Sequence, residues 1–356
     1  ISETIRDKSR RGSLLWTVDR TVSAMGGRML RRWLEQPLLN LHDIDQRLEA
    51  LTDLKDQFML RQELRELLYG LYDLERLAGK IALASVNARD LQSLAFTLAK
   101  LSPLLDALRL ARDSWLIQLS GQIDPLPELQ ALLETALADE PALGLKEGNL
   151  IREGFDTQLD QLRRASVEGK NWVLALEAGE KERTGIRSLK IGYNRVFGFY
   201  IEVTKANLAQ VPDNYIRRQT LANGERYVTA ELKEMEDTIL GAEQKSIAME
   251  YEIFCQLRAE ALRHIRSLQR TANALATLDV LAGLAELAER ENYCRPQVDL
   301  SDCLSIRNGR HPVVEKVLGP GRFVPNDLDM NMNRKRVMIL TGPNMAGKSS
   351  WLRQVA

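Results

Sequence analysis

"SLKIGYNRVFGFYIEVT", Ser188–Thr204, is the stretch on which the fold turns. Leu189, Ile191 and Tyr193 alternate along it, and Phe197, Phe199, Ile201 and Val203 alternate after Asn194-Arg195. A period of two puts each set on one face of a strand, and two such runs about a short turn predict a β-hairpin. "RYVT" at Arg226–Thr229 predicts a third strand, with Pro212 and the Asn223-Gly224 pair in the turns between.

On either side of this module the period changes. From Leu14 to about Val167 apolar residues recur at three and four positions, as in Leu94, Leu98, Leu101 and Leu105. That is helical spacing, and Pro37, Pro103, Pro125, Pro127 and Pro141 divide it into helices of ordinary length. From about Glu231 to Tyr293 the helical period returns without a proline until Pro296. Some 60 residues at about 1.5 Å each would span roughly 90 Å, so a long arm is expected, with a kink near Gly241 or Gly283. Residues 149–181 and 231–271 would run out to the β module and back. After Tyr293, "CLSIRNGRHPVVE" and "RVMILT" read as short β runs opening an α/β domain.

The chain has 49 basic and 49 acidic residues, which argues against a wholly basic nucleic-acid coat but leaves room for local asymmetry. Cys255, Cys294 and Cys303 share no spacing and read as thiols of a reducing compartment. The three histidines lie too far apart for a metal site. With no run of about 18 apolar residues and no secretory signal, a cytoplasmic protein is expected, with no membrane partner.

The chemistry is concentrated at the end. In "RVMILTGPNMAGKSSWLRQVA", Arg336–Ala356, Gly342, Gly347, Lys348 and Ser349 fit G-x-x-x-x-G-K-[ST] without a mismatch. The glycines let successive N–H groups turn toward one phosphate, and Lys348 brings a compact charge to the β/γ-phosphates. Ser349 offers its hydroxyl to Mg2+, and the helix that follows points its positive end at the anion. ATP and Mg2+ are the expected cofactors, with Lys348 and Ser349 the catalytic candidates and Ser349 the metal ligand. The loop Gly342, Pro343, Asn344, Met345, Ala346, Gly347, Lys348, Ser349 and Ser350 is the expected cradle.

"TGPNMAGKSS" resembles the Walker A loop of the MutS family of DNA mismatch-repair ATPases, Pro343-Asn344-Met345 being more particular than the generic loop. The resemblance extends to "GRHPVVE" (Gly309–Glu315), "TVSAMGGRMLRRWLEQPL" (Thr21–Leu38) and "GYNRVFGFYIEVTKAN…YIRRQTLANGERYVTAELKEMED", which together span most of the chain in the family's order. It implies a multidomain, mainly α fold. Residues 1–171 would form a helical core and ascending lever, 172–231 a β-rich DNA clamp, 232–293 the returning lever and core, and 294–356 the start of an α/β, ABC-type P-loop ATPase domain. It implies double-stranded mismatched DNA as partner, a homodimer in the intact protein and a downstream mismatch-repair factor. It also places the adenine near "GRFVPNDL", nominating Phe323 and Val324 as ring contacts and Asn326 as a polar one. His311, beside a proline turn in "GRHPVVE", reads as structural rather than catalytic. The family's mismatch-recognition domain would precede Ile1 and its Walker B strand would follow Ala356. The chain is therefore expected to be a middle piece without meaningful ATP hydrolysis of its own.

Between Arg183 and Lys233 stand nine basic and four acidic residues, an excess of five positive charges on a small β module. Such a module suits the phosphate backbone of duplex DNA, contacted without regard to sequence. Lys190, Arg195, Arg217 and Arg218 are the candidates. Tyr193, Phe197, Phe199, Tyr200 and Tyr227 alternate as core residues do, and are expected to be core rather than base-stacking platforms. Three rivals are a chromosome-organising P-loop ATPase, a small-molecule kinase and a MutS paralogue outside mismatch repair. The first is disfavoured by a Walker A that follows the helices, the second by the large helical region, and the third by the module at Thr184–Lys233.

Overall fold

The computed structural model describes residues 1–4, 7–194, 198–319, 321–343 and 347–355. The first half is helical: α1 (Leu14–Val18), α2 (Ala24–Glu35), α3 (Leu41–Asp56), α4 (Phe58–Leu68), α5 (Leu74–Ala82), α6 (Ala88–Ala99), α7 (Leu101–Leu108), α8 (Ser114–Ser120) and α9 (Pro127–Ala136). The helix starts are written in the sequence. Ser13, Ser23, Asn40, Asp73 and Asp113 stand at N-caps, and each side chain accepts a first-turn N–H. Pro103 sits in the first turn of α7, where its missing N–H costs nothing.

There follow α10 (Thr157–Thr184), β1 (Lys190–Asn194), β2 (Gly198–Thr204), β3 (Ile216–Thr220), β4 (Gly224–Val228), α11 (Ala230–Arg263) and α12 (Ile265–Arg290). The chain closes with β5 (Cys303–Gly309), α13 (Pro312–Leu318), β6 (Asn326–Asn331) and α14 (Lys348–Val355). The long downstream helix is thus interrupted, but at His264 rather than at either glycine. Gly241 is an ordinary helical residue with open space around it. Gly283 serves a close approach: a Cβ there would stand 3.1 Å from the carbonyl carbon of Arg20.

Residues group into two compact units, the second made of Ala84–Gln92 and Ala131–Leu262 and the first of the remainder. In the first, α12 is the axis, with α2, α3, α4, α5 and α8 packed on it. Leu268, Leu275, Leu278, Leu281 and Leu287 are all buried, and so are Ala274, Thr277 and Val280 between them. The apolar surface wraps the helix, as it must when neighbours cover every side. By length and composition α12 is apolar enough to cross a membrane, yet it lies inside this core. Two charges are buried with it: Asp279, on α12 itself, and Arg61, which donates to the carbonyls of Leu54 and Lys55 and pairs with Glu289.

In the second unit α10 and α11 run antiparallel, about 42 Å and 51 Å long at 1.5 Å per residue. Gly169 lets them touch: a Cβ there would lie 2.3 Å from Ile239 Cγ1. Lys170 faces Glu243 at 3.8 Å and Arg163 meets Glu250 at 2.9 Å. Glu250, 3% exposed, also accepts the N–H of Leu150.

Between the far ends of these helices sits an antiparallel sheet in the order β1-β2-β4-β3. The β1–β2 register pairs Lys190 with Glu202 and Tyr193 with Phe199, the hairpin that alternation predicts. β3 was not foreseen. "IRRQT" carries one apolar residue, and as an edge strand with Ile216 57% exposed it has no buried face to impose a pattern. Ile186, Leu189, Ile201, Val203, Tyr215 and Tyr227 form the core under the sheet, with Val173 of α10 and Leu232 and Ile239 of α11.

Carboxylates fasten the sheet to its helices. Glu177 accepts the N–H of Ile191 at 2.8 Å, Glu236 that of Phe199 at 2.5 Å, and Glu180 the hydroxyl of Tyr215 at 2.6 Å. Gly198 is required beside Glu236: its φ is +76°, and a Cβ would fall 2.1 Å from the carboxylate. Gly198→Ala is expected to destabilise this unit by more than about 1 kcal/mol through strained φ and displacement of Glu236. Faster amide exchange confined to residues 186–240 would show it.

At the C-terminal end two expectations are corrected. "PVVE" opens a helix rather than continuing a strand, because His311 caps it and Pro312 fits N1. "VMIL" is not a strand among the described residues: Val337 and Ile339 are 83% and 84% exposed. A strand needs a ladder partner, and β5 and β6 pair only with each other.

Candidate nucleotide and nucleic-acid sites

α14 begins at Lys348, and the N–H of Trp351 donates to the carbonyl of Gly347, closing its first turn. Gly347 has φ +87°, a conformation that favours glycine and that turns the chain into the helix. The Lys348 ammonium donates to the carbonyl of Gly342 and, at 3.1 Å, to that of Pro343. It thereby ties the two ends of the loop together across residues 344–346. Asn344, Met345 and Ala346 lie outside the described residues.

A cleft of about 550 Å³ opens beside this turn. Phe323, Val324 and Asn326, nominated from the sequence, line it together with Gly347, Lys348 and Ser350. Residues 322–326 and 347–351, more than twenty positions apart, are thus brought to one cavity. Reading the sequence missed Arg322, Trp351, and Val314 and Leu318 on one face of α13; an i, i+4 apolar pair next to "GRHP" was the available signal. Ser349 is exposed at the helix start, and Gly342 and Pro343 stand beside the cleft rather than in its wall. No carboxylate is among the described residues lining it.

The residues present fit a nucleotide. An aromatic and an aliphatic side chain stand at one part of the wall, and at another an ammonium bearing no ion pair among the described residues stands with a helix N-terminus. His311 holds its structural role, its Nδ1 accepting the N–H of Val314 at 3.4 Å, and burial lowers its pKa. α13 is seated on the first unit by two basic side chains. Lys316 donates to the carbonyl of Trp16 at 2.9 Å with its ammonium 3.9 Å from the indole centroid, and Arg310 donates to that of Glu291 at 2.7 Å. Both carbonyls lie at helix C-termini, where a cation is favoured.

On the β module the candidates separate. Lys190 begins β1 at one sheet edge, whereas Arg217 and Arg218 lie on β3 at the other, about 14 Å away across three strand spacings. Arg217 pairs with Glu225 at 3.4 Å. The register shifts between Arg217 and Gln219, so Arg218 is the extra residue of a bulge, exposed and without an ion pair among the described residues. Arg195 lies outside the described residues.

Other positive charges are neutralised locally: Arg183 by Glu180 at 2.6 Å, Arg226 by Glu202 at 3.0 Å and Lys233 by Glu236. The spare charge therefore falls on Arg187, Lys190, Lys205 and Arg218, of which charge counting had picked two. Among the aromatics, Tyr227 is buried and its hydroxyl, bonded to Glu225, has its pKa pushed up to about 12, chiefly by burial. Phe199 packs against the core and Tyr200 lies under Arg226 at 4.0 Å. Tyr193 departs from the expectation, 48% exposed with its ring 5.1 Å from Phe199. Phe197 lies outside the described residues.

The model of MutS domain III matches residues 1–285, four-fifths of the chain. The chain belongs to the MutS family. The curated DNA mismatch repair protein MutS of Alkaliphilus oremlandii is 52% identical over all 356 residues, which cover 40% of that relative. The protein of the same name from Acetivibrio thermocellus is 50% identical over the whole chain and 41% of its own length. That of Geobacillus kaustophilus is 51% identical over 99% of this chain and 40% of its own. The chain thus spans about two-fifths of the curated relatives it matches. Their similarity runs through the segment after residue 285, which contains Gly342–Ser350.

One carboxylate of the β module gives a pH test. The Lys181 ammonium and the Ile191 N–H, both hydrogen-bonded to Glu177, hold its pKa below the usual glutamate value. Its contribution is present above the ordinary pKa near 4.3 and is lost as pH falls toward its lower folded value. Glu177→Gln is expected to flatten the acid limb of the module's stability below about pH 4.5. Amide exchange at Ile191, followed against pH in both proteins, checks it.

Proposed function

We propose that this chain is the nucleotide-sensing and DNA-gripping part of a mismatch-repair ATPase. It binds ATP with Mg2+ at Gly342–Ser350 and the backbone of mismatched duplex DNA through the module on α10 and α11. The observation that carries the reading is the single cleft joining Phe323, Val324 and Asn326 to Gly347, Lys348 and Ser350. Phe323 and Val324 would hold the adenine ring, Asn326 its polar edge, and Lys348 with the loop N–H groups the phosphates. Ser349 would offer its hydroxyl to Mg2+, which supplies charge neutralisation at the phosphates when bound.

What this chain's own residues do is bind and orient. Lys348 fixes the loop, Gly347 turns it into α14, and Val314, Leu318 and Phe323 give the cleft an apolar wall. With no carboxylate in the described wall of the cleft, nothing there holds an attacking water, and the 356-residue chain is expected to bind ATP without hydrolysing it at a measurable rate. Vigorous turnover by this chain would overturn that statement.

Trp351 provides the binding test. It is one of five tryptophans and the only one of them among the described residues lining the cleft. Adding MgATP should change its fluorescence. Trp351→Phe should remove that signal while calorimetry still reports binding. An unchanged spectrum together with silent calorimetry would sink the nucleotide reading.

On the DNA side, phosphate contacts predict affinity that falls steeply with salt and is indifferent to sequence. Arg218→Glu should cost more affinity than Arg217→Glu, because Glu225 already neutralises Arg217. Coupling between the two sites, a homodimer and a downstream repair partner rest on the family resemblance and belong to this same proposal.

A further inference from the structure

At the β1 edge of the module, where the sheet meets the segment after β2, three neutral side chains form a closed triangle. Ser188 Oγ and Thr204 Oγ1 are 3.1 Å apart, and Asn207 Nδ2 donates to both, at 2.9 Å and 3.3 Å. The hydrogens can be counted. Both amide hydrogens of Asn207 are used on the hydroxyls, and one hydroxyl hydrogen is used between them. One O–H is left without an acceptor among the described residues, and Ser188 and Thr204 are both exposed.

Around this triangle stand Arg187, Lys190 and Lys205, all exposed and none within ion-pairing distance of a carboxylate among the described residues. Arg187 and Lys205 adjoin Ser188 and Thr204 in sequence. Lys190 pairs across the sheet with Glu202, so Thr204 is its diagonal neighbour on the same face, about 7–8 Å away. Two acids lie nearby and both are engaged, Glu202 by Arg226 at 3.0 Å and Glu177 by the Lys181 ammonium and the Ile191 N–H.

We infer that this corner seats one phosphodiester of duplex DNA, the free hydroxyl donating to a non-bridging oxygen and the three cations supplying the field. The inference rests on the DNA reading above. To the β3 edge, where charge counting placed two of four candidates, it adds a second contact at the β1 edge. The neutral triangle gives it a signature that a diffuse basic surface lacks. A cation released from the interface changes the salt slope, whereas a lost hydroxyl changes affinity at every salt concentration alike.

The test uses the whole chain and a duplex oligonucleotide, with binding measured by anisotropy across a salt series. Thr204→Val is expected to weaken binding about tenfold with the slope of log K against log salt unchanged, and Thr204→Ser to restore it. Lys190→Gln combined with Arg187→Gln and Lys205→Gln is expected to reduce the slope by about 2–3. Thermal melts identify any variant that fails to fold, in which case Thr204→Ser against wild type and the three cation variants taken singly decide. Salt-sensitive binding by the wild type that is indifferent to these changes would overturn this corner alone. A wild type without salt-sensitive duplex binding would overturn the DNA reading and this inference with it.

Discussion

Lys348→Ala is expected to weaken MgATP binding about 100-fold, the largest functional effect of any single change in the chain. In the folded protein the ammonium donates to the carbonyls of Gly342 and Pro343, so it both closes the loop and supplies a cation at the helix start. Its removal takes away a charge-assisted contact to phosphate, about 1.5–3 kcal/mol, and lets the loop ends separate. The upper figure is about two powers of ten in affinity. Lys348→Arg keeps the charge but carries a planar fork in place of a compact ammonium, and should recover only part of the loss. The readout is Trp351 fluorescence with calorimetry, beside a thermal melt. Because Lys348 is not packed in a core, the melting temperature should stay within a few degrees. Wild-type affinity in the alanine variant would remove Lys348 from the site.

Much of this site was legible because its signal is local. A glycine that must take positive φ, a lysine at the next position and a helix that starts there are set by a few neighbouring residues. Phe323 and Asn326 were nominated through family likeness, and no periodicity in "GRFVPNDL" would have brought them to the loop. The hairpin at Lys190–Thr204 was legible for a different reason: one face is buried on α10 and α11, so the alternation is enforced.

What stayed hidden depends on partners distant in sequence. β3 has no buried face and is a strand only because β4 lies beside it. The neutralisation of Arg217 by Glu225 follows from a register that no charge count contains. "VMIL" has strand composition but no ladder partner among the described residues. His264, not a glycine, interrupts the long helix, and the two compact units divide within two residues of it. Helix propensity says glycine is weak there, but Gly241 and Gly283 are held by helical neighbours on both sides.

The largest expected effect on stability belongs to Asp279→Ala. Asp279 is fully buried on α12 and accepts the N–H of Val22 at 2.9 Å, the N–H of Ser23 at 2.8 Å and the hydroxyl of Ser23 at 2.6 Å. Ser23 in turn caps α2 through the N–H of Gly26, so one carboxylate from the axis of the core positions the start of the helix beside it. The fit is close enough to dictate Gly26, where a Cβ would lie 2.1 Å from Asp279 Oδ2. Alanine would leave these part-buried donors unpaired, at a cost of about 1–3 kcal/mol for each group left unsatisfied, together a large share of the roughly 5–15 kcal/mol that holds a domain folded.

The pH dependence of that cost carries the sharper test. Burial raises the Asp279 pKa, against the lowering effect of its hydrogen bonds. Its folded pKa therefore lies above the unfolded value near 3.9, and the folded state binds the proton more tightly. The wild type gains stability from this group as pH falls through the folded pKa toward the unfolded one, and the alanine variant does not. The difference between the two proteins in urea unfolding should accordingly grow toward acid, opposite in sign to the effect of Glu177. A difference that shrinks toward acid would mean that the three donors outweigh burial and that Asp279 holds α2 as a fully stabilised anion.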